Sequence, residues 1–183
     1  NADNSDGTEK VIAPKTYELS KEQYVYNGKV KTPEVRIYGK HGDQLPDTAF
    51  TVKKASGRKN VGTYKVTVTM KNSYTGKVTK TFKILPKGTS LKSVKNSGKK
   101  QIKVTWKKQN KQTTGYKIQY TTDKKFKKSV KASTITKNKY TSKTIKKLKK
   151  NKKYYIRIRS YKKSGKTTYY SNWSSKKSKK ITK

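Results

Sequence analysis

Apolar and polar residues alternate in short runs along the first half of the chain, and each run ends in residues that favour turns. A period of two is typical of a half-buried β-strand, because successive side chains of a strand point to opposite faces. Turn-forming pairs such as Asn27-Gly28 and Thr75-Gly76 separate the runs. No stretch of the sequence has the period of an amphipathic helix, so the pattern predicts an all-β fold built of sandwiches. The predicted strands occupy residues 24–26, 35–38, 50–52, 64–70 and 78–84.

The second half shows the same alternation, which assigns its side chains to two faces. Its clearest predicted strands are residues 102–106, 115–120 and 154–160. In the last of these strands the inward positions are mostly apolar, whereas the outward positions are basic and aromatic. The inward side chains are Tyr154, Ile156, Ile158 and Ser160, and the outward ones are Tyr155, Arg157, Arg159 and Tyr161. In strand 115–120 the inward side chains are Tyr116, Ile118 and Tyr120, and the outward ones are Lys117 and Gln119.

Charge divides the chain more sharply than hydrophobicity does. Residues 1–86 have 16 basic and eight acidic side chains, a net charge of +8. The remaining 97 residues have 34 basic side chains and one acid, Asp123, so they contribute +33 of the total of +41. Chains this basic are often disordered, but 14 tyrosines and two tryptophans in alternating runs favour thin sandwiches covered with lysine. The charge predicts an anionic partner or an anionic setting for the second half.

Composition also limits the class of protein. The absence of cysteine excludes a disulfide framework, a thiol nucleophile and a thiolate metal site. No apolar run approaches the ~20 residues of a membrane span, and the polar, acidic start does not resemble a signal peptide. We therefore expect a piece of a longer protein, with residues 1–14 as a linker or N-terminal extension. A chain of 183 residues has room for two small domains.

Four segments of the first half resemble a known family. They are residues 24–29 (YVYNGK), 32–35 (TPEV), 60–68 (NVGTYKVTV) and 73–77 (SYTGK). They resemble the bacterial immunoglobulin-like repeat of Gram-positive surface proteins, and the resemblance covers residues 15–86. It implies an immunoglobulin-like sandwich in a protein that is secreted or held at the cell surface or wall of a Gram-positive bacterium. Such repeats usually have an acid and an aromatic residue together at the start of the middle strand, whereas here Asp47 and Phe50 are separated.

The second half resembles a different family. Residues 102–106 (IKVTW), residues 115–120 (GYKIQY), and Leu148 followed by residues 154–160 (YYIRIRS) resemble strands B, C and F of a fibronectin type III domain. The resemblance covers residues 91–183 and implies a tyrosine corner, in which the Tyr154 hydroxyl bonds to backbone near Leu148. Asn151 is the residue of the intervening loop best suited to a left-handed turn.

Residues 87–90 are predicted to be a linker between the two domains. The segment Leu85-Pro86-Lys87-Gly88-Thr89 is similar to a sortase sorting signal, which reads Leu-Pro-any-Thr-Gly. Its last two residues stand in the opposite order, and no apolar tail follows, so the linker interpretation is favoured.

One face of the second domain combines basic and aromatic residues. Residues 171–175 (SNWSS) partly resemble the Trp-Ser box of cytokine-receptor fibronectin domains, which implies that Trp173 stacks on arginines of strand F. Strands C, F and G share a sheet in that fold. The candidate ligand face therefore consists of Lys117, Tyr155, Arg157, Arg159, Tyr161 and Trp173. Either this face is a structural cation–π cover, or it holds a glycan ring or an anionic polymer.

Groups suited to catalysis are scarce. The single histidine, His41, lies in a turn with only Asp43 nearby in sequence, and the second half has no acid except Asp123. We therefore expect no catalytic, cofactor-binding or metal site, although the parent protein could be an enzyme. An intramolecular Lys–Asn isopeptide bond would need a buried acid beside it. Glu34 is the only candidate for that acid, and its position at a strand start favours exposure.

The lysine runs occur at nearly every turn and strand end, so we expect them to surround the second domain. The leading hypothesis is a monomeric accessory and spacer pair whose second domain holds the protein on anionic polymers such as teichoic acid or acidic glycans. The alternative is an adhesin with a specific site for a host surface protein or glycan on the candidate ligand face. A third hypothesis is nonspecific nucleic-acid binding, although dedicated nucleic-acid readers concentrate charge on one element.

Overall fold

The computed structural model describes residues 12–183, and this part of the chain is almost entirely β-structure. It contains 14 strands, and its one helical element is the short 3-10 helix Asp47–Ala49. The strands form two compact units; of the described residues, the first unit contains 12–24, 29–59 and 63–84, and the second contains 25–28, 60–62 and 85–183. The predicted all-β fold class is therefore confirmed. Most of the predicted N-terminal extension, residues 1–11, lies outside the described residues.

The first unit consists of two small β-sheets. Its strands are β1 (Thr16–Leu19), β2 (Gln23–Val25), β3 (Val35–Tyr38), β4 (Phe50–Lys54), β5 (Gly62–Met70) and β6 (Lys77–Leu85). One sheet pairs β1 with β3, and the other has the order β2-β6-β5-β4. All five strands predicted from the alternation are present, and β1 is additional. The buried cluster consists of Ile37, Leu45, Ala49, Phe50, Val68 and Met70.

Three details of the first unit add to what the sequence predicts. Ile12 bridges to Tyr74 and donates its N–H to the Ser73 carbonyl at 2.9 Å, so the unit includes residues before the predicted start at residue 15. The acid Asp47 begins the 3-10 helix Asp47–Ala49, and the buried aromatic residue Phe50 directly follows the helix. Glu34 is 76% exposed and pairs with Arg36 at 3.4 Å, so it is not the buried acid that an isopeptide bond needs.

The second unit is a sandwich of a three-stranded and a five-stranded sheet. Its strands are β7 (Leu91–Asn96), β8 (Ile102–Trp106), β9 (Gly115–Thr121), β10 (Lys131–Ile135), β11 (Ser142–Ile145), β12 (Lys153–Ser164), β13 (Thr167–Tyr170) and β14 (Lys177–Lys180). The smaller sheet has the order β11-β8-β7. The larger has the order β10-β9-β12-β13, and β14 also pairs with β12. Trp106 and Tyr116 meet edge to face at 5.4 Å in the core between the sheets.

The predicted inward positions are confirmed on both central strands. Tyr154, Ile156, Ile158 and Ser160 are buried, as are Tyr116 and Ile118, while Tyr120 is half-buried against the same core.

The tyrosine corner is present as the resemblance implied. The Lys149 N–H donates to the Tyr154 hydroxyl at 3.0 Å, one residue after Leu148. Asn151 has a left-handed φ of 63°, as expected for the residue best suited to that conformation. Lys147 is also left-handed, with a φ of 60°, which its residue type did not indicate.

Residues 87–89 form hydrogen bonds with residues of the second unit. Ser160 Oγ donates to the Lys87 carbonyl at 2.5 Å, and Gln109 Nε2 donates to the Gly88 carbonyl at 2.8 Å. Thr89 Oγ1 donates to the carbonyl of Lys107. The partners are residues distant in sequence, so the local Pro and Gly pattern could not indicate these hydrogen bonds.

Candidate functional site

Two serines attach the segment of residues 171–175 to the edge of β12. Ser171 and Ser160 exchange hydrogen bonds, because the Ser171 N–H donates to the Ser160 carbonyl at 3.0 Å and the Ser160 N–H donates to Ser171 Oγ at 2.9 Å. Ser174 and Ile158 do the same at 2.8 and 3.0 Å. The two serine hydroxyls thus accept hydrogen bonds from N–H groups of β12, which in a regular sheet would go to carbonyls of a neighbouring strand. Trp173 lies between the two serines, before β14, and its ring contacts side chains of β12.

Five side chains form a row of alternating rings and guanidinium groups, which we call the arginine ladder: Phe126, Arg157, Trp173, Arg159 and Tyr170. The Arg157 Cζ lies 4.2 Å from the Phe126 ring centroid and 4.5 Å from that of Trp173. The Arg159 Cζ lies 4.2 Å from the Trp173 centroid and 3.8 Å from that of Tyr170. All four distances are within the ~6 Å over which a cation–π interaction is attractive.

The two arginines differ in the hydrogen bonds that their N–H groups make. Gln119 lies opposite Arg157 in the register of β9 and β12, and its Oε1 accepts from Nε at 2.9 Å and from Nη2 at 2.7 Å. Burial lowers the pKa of both arginines, and both stay cationic at neutral pH. Arg159 Nε is buried and has no hydrogen-bond partner among residues 12–183. Arg157 is therefore held by two rings and one amide, and Arg159 by two rings.

The structure brings together only part of the candidate ligand face. Arg157, Arg159 and Trp173 meet in the ladder, and Lys117 Nζ lies 5.7 Å from the Tyr170 ring. Tyr155 is outside the ladder, with Nζ of Lys153 and Lys176 at 5.6 and 5.8 Å from its ring. Whether this surface binds a ligand stays a prediction.

The expected exposure of Tyr161 was wrong, since only 7% of this residue is exposed. Its partner in the register is Gly115, which has no side chain, and a Cβ there would lie 3.0 Å from the Tyr161 hydroxyl. The ring of Tyr170 also approaches to 6.1 Å. Tyr161 thus occupies an outward position in the alternation of β12, but neighbouring residues cover it.

Phe126 and Tyr170 are ladder residues that the sequence analysis did not identify. Tyr170 lies opposite Tyr161 on β13, and the alternation of that short strand was not assigned. Phe126 lies in the loop between β9 and β10, with a left-handed φ of 53°. A single aromatic residue among lysines gives no periodic pattern, so only the contact with Arg157 reveals its role.

Asp123, the one acid of the second half, organises the loop that carries Phe126. Its carboxylate accepts backbone N–H groups from Lys125 at 3.0 Å, Lys127 at 2.8 Å and Lys128 at 3.0 Å. These hydrogen bonds lower the pKa of Asp123, with the bond from Lys125 the largest cause. The Phe126 N–H donates to the Asp123 carbonyl at 3.0 Å. Asp123 thus caps a turn.

Among residues 12–183, no three His, Cys, Asp or Glu side chains lie close enough together to hold a metal ion. His41 is exposed in its turn. In the same residues, no helix has the length and apolar character needed to span a membrane.

The chain is similar to one known domain family and to several solved structures. The family model for the fibronectin type III domain matches residues 86–177. Among solved structures, the FN1–FN3 domains of chicken CNTN1 are 16% identical with a TM-score of 0.48, covering 94% of this chain and 68% of that one. The fibronectin domain of human contactin 1 is 17% identical with a TM-score of 0.41, covering 53% and 80%. A chain described as a myokine structure is 13% identical with a TM-score of 0.42, covering 52% and 96%. No curated protein matches.

The family match and the observed strands describe the same part of the molecule. The matched residues contain all of β7 to β13 and the tyrosine corner at Tyr154. They make up slightly more than half of the 183 residues. The chain therefore belongs to the fibronectin type III family.

Proposed function

We propose that this chain is a non-catalytic accessory pair from a secreted or wall-associated protein of a Gram-positive bacterium. In this proposal the first unit is an immunoglobulin-like spacer, and the second unit retains the protein on anionic polymers such as teichoic acid or acidic glycans. A fibronectin type III domain is a non-catalytic kind of module that serves in binding or as a spacer. The observation that carries the proposal is the uncompensated positive charge of the second unit.

That charge has almost no internal partner. Asp123 is the only acidic side chain between residues 87 and 183, and three backbone N–H groups already bind its carboxylate. Within residues 12–183, no lysine of this region forms an ion pair with a carboxylate. Hydrated, unpaired ammonium groups attract a polyanion over a Debye length and without strict geometry. Such attraction is suited to retention on a repetitive anionic surface.

The alternative is a specific adhesin site on the candidate ligand face. A ligand that stacked on Arg157 or Arg159 would have to displace rings that lie 3.8 to 4.5 Å from the two guanidinium carbons. It would also have to displace Gln119 from the edge of Arg157. The engaged arginines therefore favour retention by bulk charge over a specific site.

Retention is tested by sedimenting the 183-residue chain with Gram-positive cell walls, either intact or stripped of teichoic acid. A protein that neutralises about six anionic groups should lose roughly a thousandfold in affinity between about 50 and about 200 mM salt. Stripped walls should retain much less protein. Equal retention at both salt concentrations, or on stripped walls, would rule out the proposal.

A matched variant separates the alternatives. Arg157→Lys keeps the charge but removes the planar group that Phe126, Trp173 and Gln119 contact. Retention on walls should be unchanged in this variant, whereas an adhesin site on the ladder would lose its ligand. For nucleic acid, stronger binding to DNA than to heparin of similar charge density would favour the third hypothesis.

A further inference from the structure

The register of the strands gathers several loops of the second unit at one end of the sandwich. Ile102 pairs with Ile145, so the turn before β8 lies beside the loop after β11. Thr121 pairs with Tyr155, and Lys153 pairs with Lys180, which brings the end of β9 and the end of β14 to the start of β12. The segments at this end are residues 96–102, 121–131, 145–155 and 180–183.

Lysine is concentrated at this end, which we call the lysine-rich end. Its four segments contain 15 lysines, whereas the segments of the opposite end, residues 86–91, 106–115, 135–142 and 161–170, contain nine. Lysines thus occur at both ends of the second unit, and more of them lie at the lysine-rich end. Sequence position alone hid the asymmetry, because loops distant along the chain meet only through the strand register.

Backbone hydrogen bonds hold the loops of the lysine-rich end together. The Leu148 N–H donates to the Lys100 carbonyl at 3.0 Å, and the Lys100 N–H donates to the Lys183 carbonyl at 2.8 Å. The Asn151 N–H donates to the Ile181 carbonyl at 2.8 Å. Asp123 fixes the loop between β9 and β10 through its three accepted N–H groups. The lysines of this end therefore stand on an ordered backbone.

A cleft of about 320 Å³ lies at this end, between the loop that joins β9 to β10 and the loop that joins β11 to β12. Lys131 at the start of β10 and three lysines of the loop after β11 line it, together with residues that have hydroxyl groups. The residues with donor groups in its lining include Tyr120, Thr122, Ser129, Lys131, Lys146 and Lys149.

Tyr120 supplies a second, independent observation. Its side chain is half-buried, and among residues 12–183 its hydroxyl makes no hydrogen bond. Burial raises the pKa of Tyr120, so the hydroxyl stays protonated at neutral pH and keeps its proton for donation. An unused donor beside several unpaired ammonium groups is suited to an oxyanion.

We propose that this cleft binds a phosphate group of a linear glycerol-phosphate polymer, with Lys131, Lys146 and Lys149 around it and the Tyr120 hydroxyl beneath it. The proposal rests on the proposed function and names where in the second unit the polymer is held. The remaining lysines of the lysine-rich end would attract the neighbouring phosphates along the chain.

The chemistry of the lining favours this class of ligand. A tetrahedral phosphate presents oxygens in several directions, which matches donors that approach from two loops, one strand and the tyrosine. A single-stranded nucleic acid is also a phosphate polymer, but proteins bind it with exposed aromatic faces on which bases stack. The two tyrosines of the lining, Tyr120 and Tyr154, pack in the core or against it. The cleft therefore fits a polymer without bases.

The test compares two triple variants of the whole chain with the same change in charge. The cleft variant is Lys131→Gln, Lys146→Gln, Lys149→Gln, and the control is Lys108→Gln, Lys137→Gln, Lys166→Gln in exposed positions of the opposite end. Calorimetric titration with purified poly(glycerol phosphate) should show about tenfold weaker binding for the cleft variant than for the control. Tyr120→Phe should weaken binding severalfold without changing the charge, whereas Tyr140→Phe should not.

The possible outcomes distinguish the cleft proposal from the proposal of retention by charge. Equal losses in the two triple variants, with binding still steeply dependent on salt, would overturn the cleft and leave retention intact. No binding of the unmodified chain at low salt would overturn both. Single-stranded DNA serves as a second probe, and tighter cleft-dependent binding of DNA than of poly(glycerol phosphate) would overturn the assignment to a polymer without bases. Fluorescence-monitored unfolding checks that every variant is folded.

Discussion

Trp173→Ala should destabilise the second unit, because the ring is the shared partner of both ladder arginines. Each of its two guanidinium contacts is worth about 1 kcal/mol at a partly buried site, and truncating a large aromatic side chain forfeits further packing. Arg157 and Arg159 would regain water, which offsets part of the loss. We expect a decrease of about 2 to 3 kcal/mol in the free energy of unfolding.

The sequence offers a selective assay for this variant. Both tryptophans lie in the second unit, so fluorescence of Trp106 in the Trp173→Ala protein reports unfolding of that unit alone. With a slope of about 1 to 1.5 kcal/mol/M for a small domain, the urea midpoint should fall by about 2 M. Trp173→Phe keeps a ring and should lose less. Tyr140→Ala removes a half-exposed aromatic side chain of the same unit and should change little. A loss below about 0.5 kcal/mol in Trp173→Ala would refute the stabilising role of the ladder.

Two further variants test hydrogen bonds in the same unit. Tyr154→Phe removes the acceptor of the Lys149 N–H and should lower the free energy of unfolding by about 1 to 2 kcal/mol. The control Tyr155→Phe, on the outer face, should be nearly neutral. Equal urea midpoints for the two variants would contradict the tyrosine corner. The pKa of Asp123 is lowered on folding, so its contribution is present above its unfolded pKa and disappears as pH falls through the folded value. In the Asp123→Asn protein, the free energy of unfolding of the second unit should therefore fall less steeply below about pH 4 than in the unmodified chain. Equal pH dependence of the two proteins would show that the three N–H bonds do not contribute to stability.

The central strands could be predicted from the sequence because each has a regular alternation. Strand β12 alternates inward and outward residues from Tyr154 to Ser160, and its buried positions are as expected. Strands β10 and β14 have no such pattern, since their sequences KASTI and KSKK contain one large apolar residue between them. These edge strands form because β9 and β12 offer them hydrogen-bonding partners.

The candidate site was predictable only where local pattern and tertiary contact coincide. Trp173 and the two arginines follow from a motif and from the alternation of one strand. Tyr161 violates the prediction because the missing side chain of Gly115 makes room for its ring. Phe126 and the cleft beside Tyr120 depend on loops brought together by the register, which no local pattern encodes.

The chain uses its two kinds of cation for different purposes. All four arginines make directed contacts: Arg36 with Glu34, Arg58 with the carbonyls of Lys31 and Ala55, Arg157 with Gln119 and two rings, and Arg159 with two rings. A planar guanidinium stacks and forms paired hydrogen bonds, whereas an ammonium is a strongly hydrated point charge. Lysines can therefore cover the second unit with few directed contacts, such as those of Lys117, Lys153 and Lys176 with tyrosine rings. It follows that the fold should tolerate neutralisation of many lysines while losing its attraction for polyanions, whereas loss of either ladder arginine should act first on stability.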